Sequence, residues 1–540
     1  MKLCVFDTTL RDGAQTEGIS FSVEDKLDIV QQLDDFGIHM IEAGWPGSNP
    51  KDAEFFAKAK TLTLKRSRLV AFGMTRRAGL KAEEDPSLRA LVEAETPIVA
   101  VVGKSSKFQV EKVLRVSHKE NLAMISDTVA WLKELGREVV YDAEHFFDAW
   151  REDSEHALAT LRAAAEAGAD FLALCDTNGG SMPWEVAEAV GVISSTLDVP
   201  LGIHAHDDCG LAVANSLAAV RAGCAMVQGT VNGYGERCGN ANLISLLPTF
   251  QLKMNSIDPG DFALGGLRAL ARRVSEISNV ALDPSAAYVG RSAFAHKGGI
   301  HVAAVERARA SYEHIDPQLV GNDRRISVSE LSGQGNVRMQ ARNLNLDIQG
   351  HEAAILAEVK RLEAQGFHFE GAEASFYLLT RRHVDDYQAP FAVEDFSVRS
   401  ECRNGGRRWS EASLRISLFG EDQHVVASGV GPIHALDRAF RKALMSAFPA
   451  ISDCRLVDYK VRILDHERAT AATTRVSIEA ARGDRRWTTV GCGPDIVEAS
   501  ALALADSYEY LLENSDLLSL ECADDSSKPS PLPKEIREQT

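Results

Sequence analysis

The chain has 540 residues, 45% of them hydrophobic and 25% charged, and its formal net charge is -18. At about 150 residues per domain this length predicts two to four domains, and the composition is that of an ordinary soluble protein. The acidic balance and the lack of long basic clusters argue against nucleic-acid binding, and no stretch has the apolar length of a membrane span.

The cysteines and the N-terminal residues indicate the cellular compartment. The nine cysteines are scattered, odd in number and without a C-x-x-C pair, which is typical of reduced thiols. The first residues run directly into a strand pattern and a charged turn, rather than into a basic and then apolar leader. We therefore expect a cytoplasmic protein.

Short apolar or β-branched runs recur roughly every thirty residues, and a stretch of helical period follows each of them. Eight such units predict a closed (β/α)8 barrel that ends near residue 255. An open doubly wound sheet is the alternative, but no glycine-rich dinucleotide turn follows the first run. The predicted strands are 2–6, 38–42, 68–72, 97–102, 137–142, 170–175, 200–204 and 225–229.

Helical periodicity fills the intervals between these strands. The clearest predicted helices are 23–36, 117–135, 154–167 and 184–195. Glycines stand where helices should stop, as a left-handed C-terminal cap prefers. These glycines are Gly37, Gly136, Gly168 and Gly223.

The first predicted strand ends in the segment Asp7 to Gln15, which carries carboxylates, a guanidinium and an amide. Barrel enzymes keep their chemistry at the carboxyl ends of the strands, so Arg11, Asp12 and Gln15 are candidate site residues. An ordinary solvated turn is the alternative for this segment taken alone.

The seventh predicted strand ends in His204 and His206. Residues at i and i+2 of a strand lie on one face, so the two imidazoles could share a metal ion, although such pairs are also common in surface and core strands. With Asp12 they form a set of two histidines and one carboxylate, which leaves coordination positions open for water and substrate. The pattern therefore predicts a catalytic metal site.

Polar residues cluster at the same end of the other predicted strands, whereas the opposite turn at 197–200 offers a single carboxylate. Clustering at one end of a barrel indicates function there. Besides the residues already named, the cluster comprises Glu42, Trp45, Thr75, Arg76, Lys104, Asp142, Glu144, Asp176, Thr177, Asn178, Asn232, Glu236, Arg237 and Asn240.

Two of the predicted loops add specific chemistry. In the glycine-rich run 233–240, Asn240 could add an amide oxygen to a hard metal, and Glu236 with Arg237 could fix the loop by ion pairs. After the fifth strand, Glu144 is a candidate general base, with a solvated loop charge as the alternative.

These residues carry a family resemblance. The segments DTTLRDGAQ (7–15), HAHDDCGLAVANS (204–216) and GYGERCGNANL (233–243) resemble the acyl-CoA:2-oxo-acid synthases, which include isopropylmalate, homocitrate and citramalate synthases. The similarity extends through AFAHKGGIHVAAV (293–305) and the C-terminal domain. Three further segments are most similar to the citramalate branch; they are WPGSNPKD (45–52), FGMTRR (72–77) and YDAEHFFD (141–148).

The resemblance implies a Claisen-type condensation of acetyl-CoA with a 2-oxo acid, which is pyruvate in the citramalate branch and gives (R)-citramalate and CoA. It implies a divalent metal ion, Mg²⁺, Mn²⁺ or Zn²⁺, whose ligands are Asp12, His204, His206 and Asn240. Arg11 is expected to stabilise the developing alkoxide. Arg11, Gln15 and Thr177 are expected to bind the substrate.

The resemblance also indicates how protons move. Glu144 is the first choice for the base that deprotonates the acetyl methyl group. His301 and Tyr312 resemble a catalytic pair that reaches the site from beyond the barrel, often from the partner subunit; polar residues in a subdomain interface are the alternative. One position departs from the family pattern, since Asp207 stands where many members have Asn, which adds a negative charge beside the second histidine.

The C-terminal part contains an internal repeat. The segments 425–432 and 488–494 each end a strand in a glycine-proline turn before a helix, which predicts a pseudo-symmetric α+β domain. A dimerisation module is one interpretation, and a homodimer is expected. The resemblance implies a regulatory domain that binds an end-product amino acid, isoleucine in the citramalate branch.

The predicted organisation is a catalytic barrel over 1–255, linker subdomains over 256–385 with a polar helix at 352–365, a regulatory domain over 386–515 and a disordered tail over 523–540. The alternatives to citramalate synthesis are a synthase for a larger 2-oxo acid, an acyl-CoA or aldol lyase on the same barrel and a non-catalytic metabolite sensor. The sequence alone does not size the pocket that separates the oxo acids.

Overall fold

A computed structural model of the chain describes residues 3–257, 261–326, 328–329, 332–384, 387–402, 408–465, 472–483 and 485–514. The predicted tail over 523–540 lies outside these residues. The chain divides into two units: the first runs to Phe294 and includes Ile315–Arg324, and the second comprises Ala295–His314 and the residues from Arg325 onward. The predicted domain boundaries stay predictions.

The first unit contains a closed barrel of eight parallel strands, which confirms the predicted fold class. Each strand pairs with its neighbour in the chain, and the last strand pairs with the first, with Cys4 opposite Met226. The strands are β1 (Cys4–Asp7), β2 (Met40–Gly44), β3 (Arg68–Met74), β4 (Ile98–Lys104), β5 (Glu138–Glu144), β6 (Phe171–Asp176), β7 (Leu201–Ala205) and β8 (Met226–Gly229).

Helices alternate with these strands and end at the predicted glycine caps. Gly37, for example, follows the first helix with φ 111°, a conformation that glycine adopts without a steric penalty. The helices are α1 (Val23–Phe36), α2 (Pro50–Ala59), α3 (Pro86–Glu93), α4 (His118–Glu134), α5 (Phe146–Glu166), α6 (Pro183–Ser194), α7 (Ala212–Ala222), α8 (Leu243–Thr249) and α9 (Leu267–Ser278).

Helix α5 begins earlier than the predicted 154–167. Asp153 interrupts it with φ -157° and ψ 90°, and its Oδ1 accepts a hydrogen bond from the backbone N–H of His156 at 3.0 Å. Asp153 therefore caps a second helical segment, and this segment is the one that the sequence predicted. The preceding turns, from Phe146, were missed because they are few and end at this interruption, so their helical period is not evident in the sequence.

Successive strand residues face opposite sides of the barrel wall, as the pleat requires. Phe6, Met40, Phe72 and Met226 belong to a buried cluster inside the barrel. Their neighbours along the strands, such as Val5, belong to the larger core that the strands share with the surrounding helices. The interior below the carboxyl ends is thus packed, and the strand ends themselves carry the polar groups.

The second unit contains a helical region and two small antiparallel sheets. Val337, Ile355, Val359 and Phe376 lie in the core of the helical region, and the predicted helix over 352–365 is present. The elements of this region are β9 (Ala295–His296), α10 (Gly299–Arg307), β10 (Arg325–Ile326), α11 (Gln334–Asn343), α12 (Glu352–Ala364) and α13 (Glu373–Arg381).

The predicted repeat forms two strand-strand-strand-helix motifs. In each motif the strands form an antiparallel sheet in chain order, and the two helices share one buried core with both sheets. The first motif is β11 (Phe391–Cys402), β12 (Arg408–Leu418), β13 (Glu421–Gly429) and α14 (Pro432–Leu444). The second is β14 (Arg455–Ile463), β15 (Thr474–Arg482), β16 (Arg485–Gly493) and α15 (Ile496–Glu513).

Among the described residues, none of the helices has both the length and the apolar character needed to cross a membrane.

Candidate active site

The carboxyl ends of the barrel strands surround a cavity of about 230 Å³, which we name the mouth cavity. Its lining combines most of the predicted polar cluster with a few apolar side chains. The lining residues are Arg11, Asp12, Gln15, Trp45, Phe72, Met74, Val102, Lys104, Asp142, Glu144, Cys175, Thr177, His204, His206, Glu236 and Arg237.

Asp12, His204 and His206 come together in this cavity with ligand atoms close enough to hold one metal ion. Asp12 Oδ2 lies 3.1 Å from His204 Nε2 and 3.8 Å from His206 Nε2, and the two Nε2 atoms are 3.3 Å apart. All three side chains are buried. Three buried groups that converge on one point form a donor set for a divalent cation, as the sequence predicted.

The segment after β1 holds Asp12 in place through a hydrogen-bonded turn. Asp7 accepts hydrogen bonds from the Thr9 backbone N–H at 3.0 Å and from the Thr9 hydroxyl at 2.7 Å. The same hydroxyl accepts from the backbone N–H of Val231, beyond β8, at 2.9 Å. The turn that presents Asp12 is therefore tied to the neighbouring strand end.

Electrostatics keeps Asp12 ionised and His206 neutral. Burial alone would raise the pKa of Asp12, but the charge of Arg11 and the contact with His204 hold it well below its usual range. Burial, together with the neighbouring His204, lowers the pKa of His206 to about 4. An ionised carboxylate and a neutral imidazole are the forms that bind metal ions.

Asn240 lies beside these ligands. Its backbone forms a bridge with His206, and its buried side-chain amide has no hydrogen-bond partner among the described residues. A buried amide oxygen without a partner is costly, and a bound cation would satisfy it. The donor set therefore fits a divalent metal, and the role of Asn240 as a further ligand stays a prediction.

The glycines of the 233–240 loop allow the backbone to pass close to Asn240. A side chain at Gly235 would meet the Asn240 amide nitrogen at 2.9 Å, and one at Gly239 would meet the Gly233 carbonyl oxygen at 2.0 Å. Both glycines have positive φ. The glycine-rich pattern thus serves close packing around Asn240.

Arg11 reaches into the cavity from the same turn as Asp12. Its Nε donates to the buried Glu42 at 2.6 Å, and its guanidinium carbon lies 3.9 Å from the ring centroid of Phe72. Burial opposes the charge of Arg11, but Glu42 and Asp12 outweigh it and raise the pKa of the guanidinium. The cavity therefore contains a fixed positive charge beside the metal ligands.

Glu144 and Thr177 also line the cavity. Lys104 forms an ion pair with Glu144, which holds the carboxylate at the end of β5. The Thr177 hydroxyl oxygen accepts a hydrogen bond from the backbone N–H of His145 at 2.8 Å. Its own hydrogen is thereby left to donate to an oxygen in the cavity.

Arg237 fixes the glycine-rich loop mainly through Asp208, with two hydrogen bonds of 2.8 and 2.9 Å. The predicted pair with Glu236 is looser, at 3.5 Å. Asp207 Oδ1 accepts from the backbone N–H of Ala212, the first residue of α7, at 2.8 Å. The extra negative charge at 207 is therefore engaged by the start of a helix.

Several other predicted residues lie near the strand ends but outside the lining of the mouth cavity. Asp176 accepts from the Ser181 hydroxyl at 2.8 Å, and Asn232 donates to the Ala271 carbonyl at 2.9 Å. Thr75 and Arg76 line a different cavity, and Asn178 donates to Asp148 at 2.7 Å.

His301 and Tyr312 belong to the second unit. Their rings are stacked with centroids 4.2 Å apart, and both side chains are exposed. Their part in catalysis stays a prediction.

Gln228, which the sequence motifs did not point to, is fully buried on β8. Its Oε1 lies 2.6 Å from His204 Nδ1, and its Nε2 donates to Asp142 Oδ1 at 2.8 Å. Burial raises the pKa of Asp142, while His204, Arg11 and Gln228 oppose the rise. Pairing β8 with β7 in the predicted barrel was the signal that could have drawn attention to Gln228.

Three family models match successive parts of the chain. The HMGL-like model matches residues 2–262, the homocitrate synthase post-HMGL domain-like model matches 288–366, and the LeuA allosteric (dimerisation) domain model matches 370–512.

Relatives resemble the chain over almost its whole length. An (R)-citramalate synthase from Synechocystis is 50% identical and covers 94% of this chain and 96% of its own. An (R)-citramalate synthase from Geobacter sulfurreducens is 47% identical, with 95% and 98% covered. A probable 2-isopropylmalate synthase from Methanopyrus kandleri is 32% identical, with 94% and 98% covered. The chain therefore belongs to the (R)-citramalate synthase branch of the acyl-CoA condensing family, as its sequence motifs indicated.

Proposed function

We propose that the chain condenses acetyl-CoA with pyruvate at the mouth cavity and releases (R)-citramalate and CoA. The observation that carries this proposal is the convergence of Asp12, His204 and His206 beside Arg11 in a cavity at the carboxyl ends of the strands. Membership of the (R)-citramalate synthase branch supports the same reaction.

The ligands Asp12, His204 and His206, with Asn240 Oδ1, would hold Mg²⁺, Mn²⁺ or Zn²⁺. When bound, such an ion makes the carbonyl of a 2-oxo acid more electrophilic. Arg11 stabilises the alkoxide oxygen that develops during the addition, because its guanidinium is fixed by Glu42 before the substrate arrives. Thr177 and Gln15 bind the substrate carboxylate from the cavity wall.

The apolar part of the cavity favours an apolar substrate side chain, such as the methyl group of pyruvate. Phe72, Met74 and Val102 form an apolar wall of the cavity, which suits a methyl group better than an acidic side chain. A methyl-sized difference in such a pocket is worth about 1–3 kcal/mol, so pyruvate is the preferred substrate rather than the exclusive one.

A second cavity of about 450 Å³ offers a place for the CoA arm. It shares Trp45, Met74, Val102 and Lys104 with the mouth cavity. Arg77 lies at its wall, where its guanidinium is 3.5 Å from the Ser87 hydroxyl. An apolar passage with a cation beside it matches the pantetheine and phosphate groups of acetyl-CoA.

Glu144 takes the proton from the acetyl methyl group. Its carboxylate faces the cavity next to Lys104. Glu144→Gln should lower kcat by about 100- to 10,000-fold, because a positioned base contributes that much. Glu236→Gln, at the same cavity, is the control. If kcat survives Glu144→Gln but falls in His301→Ala, the base is His301 instead.

Thiol release from acetyl-CoA tests the reaction. The metal-loaded protein is assayed with pyruvate, 2-oxoisovalerate and 2-oxoglutarate in parallel, and pyruvate should give the fastest release. Asp12→Asn should abolish both metal binding and release, whereas Asp207→Asn should retain both. Preference for a larger oxo acid would reassign the substrate, and no release with any of them would favour the lyase or sensor alternatives.

The second unit regulates this reaction as part of a homodimer in isoleucine biosynthesis. The match to a LeuA allosteric (dimerisation) domain and the paired β-β-β-α motifs support a site for isoleucine between the two motifs. Saturating isoleucine should therefore lower the rate of thiol release. Unchanged activity would count against the regulatory role.

A cytoplasmic location agrees with the substrates of this reaction. Cys4, Cys175, Cys209, Cys224, Cys238, Cys454 and Cys492 are all free thiols, which fits a reducing compartment.

A further inference from the structure

We propose that Gln228 is a positioning residue that fixes the tautomer of His204, and that Asp142 sets the orientation of the Gln228 amide. The inference rests on the metal site proposed above and adds a second layer to it. Gln228 and Asp142 make no contact with the metal ion in this proposal; they act through His204.

The barrel register brings the three side chains together. His204 and Gln228 are directly paired residues of β7 and β8, so their side chains leave the wall at the same level. Gln228 is fully buried, and His204 and Asp142 are nearly so. Water therefore does not compete for the hydrogen bonds among them.

The carboxylate of Asp142 selects one orientation of the amide. Nε2 is the amide atom of Gln228 that faces Asp142 Oδ1 at 2.8 Å, so the NH₂ group donates to the carboxyl oxygen. The flipped amide would point its oxygen at the carboxylate, and the two would repel. The amide oxygen is thereby directed at His204.

The amide oxygen in turn selects the tautomer of His204. Oε1 lies 2.6 Å from Nδ1 and can only accept, so Nδ1 must carry an N–H. In the neutral imidazole that binds a metal ion, the lone pair is then on Nε2, which is the atom 3.1 Å from Asp12 Oδ2 and 3.3 Å from His206 Nε2. A histidine ligand needs this arrangement, because the metal-binding nitrogen cannot carry a proton.

A purely structural role is the competing explanation, since three buried hydrogen-bonded side chains also stabilise a barrel interior. The two explanations differ in what a variant changes. A structural role predicts a loss of stability without a specific effect on metal binding, whereas a positioning role predicts weaker metal binding by a protein that is still folded.

The test measures the affinity of the metal-free, full-length protein for Co²⁺, by competition with a chelator, together with the visible absorption of bound Co²⁺. Gln228→Leu should weaken binding by about 10- to 100-fold, as loss of an outer hydrogen-bond partner does at other metal sites, and should change the absorption spectrum. Gln228→Asn, whose amide is too short to reach both partners, should do the same if the leucine variant folds poorly.

The exchanged pair Asp142→Asn with Gln228→Glu restores the pattern of donors and acceptors. The introduced glutamate would accept from His204 Nδ1, and the introduced asparagine would donate to that glutamate. The double variant should bind Co²⁺ within about threefold of the unmodified protein, because the N–H of His204 is again held on Nδ1.

Wild-type affinity and spectrum in both Gln228→Leu and Gln228→Asn would overturn the inference, as would a double variant no better than these single ones. Asp12→Asn separates this failure from failure of the metal site. If Asp12→Asn loses Co²⁺ while the Gln228 variants retain it, the metal site stands and only the positioning role is wrong. If the unmodified protein binds no Co²⁺, both are wrong.

Discussion

Met74 forms part of the apolar wall of the mouth cavity, so its size limits the 2-oxo acid that fits. Met74→Ala should raise kcat/KM for 2-oxoisovalerate relative to pyruvate by about 10- to 100-fold, because removing side-chain atoms makes room for two extra methyl groups. The measurement is kcat/KM for both acids. Leu135→Ala, at an exposed position on the outside of the barrel, should leave the ratio unchanged, and an unchanged ratio in Met74→Ala would contradict the proposed wall.

Asp7 makes the stability of the barrel dependent on pH. Burial raises its pKa to about 7, and the hydrogen bonds from Thr9 oppose the rise only partly. The folded protein therefore holds a proton on Asp7 that the unfolded chain, with a pKa near 3.8, has lost. Between about pH 4 and 7 the folded state binds more protons, so this group makes stability fall as pH rises.

Asp7→Asn mimics the protonated carboxyl and removes this dependence. The Tm of the variant should be close to that of the unmodified protein at pH 5, and the variant should become the more stable of the two by pH 8. Thermal unfolding across this pH range measures the difference. A difference in Tm that stays constant from pH 5 to 8 would show that Asp7 does not titrate on unfolding in this range.

At the level of secondary-structure elements, a buried ion pair connects α1 to the first turn of α2. Lys26 Nζ lies 2.5 Å from Asp52 Oδ1 and donates to the Ala43 carbonyl at 2.8 Å. Asp52 Oδ2 also accepts from the backbone N–H of Trp45 at 2.9 Å. The pair thus fixes the backbone of Trp45, which lines both the mouth cavity and the cavity of about 450 Å³ beside it.

Lys26→Met should destabilise the barrel by about 3–5 kcal/mol, because it leaves the buried carboxylate of Asp52 without a counter-charge. The shift of the unfolding transition in urea measures this loss. Lys58→Met is the matched control, since Lys58 pairs with Glu24 and Glu54 at the surface, and its loss should cost less than about 1 kcal/mol. Equal effects of the two substitutions would contradict the role of the buried pair.

The elements that could be predicted from the sequence are those whose residues show one clear hydrophobic pattern. Each barrel strand is an apolar run buried on both sides, so its position follows from hydrophobicity alone. The start of α5 is different, because the break at Asp153 leaves only a short helical stretch after Phe146 and conceals the helical period. Only the packed structure shows that the helix begins there.

The same distinction applies to the site. Arg11, Asp12, His204 and His206 could be predicted because strand ends converge in any parallel barrel. The hydrogen bond between Gln228 and His204 depends on the register between β7 and β8, which the apolar pattern of the two strands does not determine. An apolar lining residue such as Met74 is equally difficult to predict, because in the sequence it is one more hydrophobic strand residue.

At the scale of the whole molecule, the proposed homodimer needs a surface on which two chains can associate. The second unit exposes an apolar face that could serve as this surface. Strand β14 is at the edge of its sheet, and several of its apolar side chains are exposed; they are Leu456, Val457, Val461 and Ile463. An exposed apolar row on an edge strand is unfavourable in water and is typical of a surface that another chain covers. We expect this row to contribute to the proposed homodimer.

Val461→Lys should dissociate the dimer, because it places a charge in the centre of this apolar row. Light scattering after size-exclusion chromatography should give the mass of a single chain for this variant and of two chains for the unmodified protein. Val192→Lys replaces an apolar residue on α6 that is exposed to a similar degree, and it should remain dimeric. If Val461→Lys also remains a dimer, the chains associate through another surface. If the variant is monomeric and isoleucine no longer lowers its activity, regulation depends on the pairing of the second units.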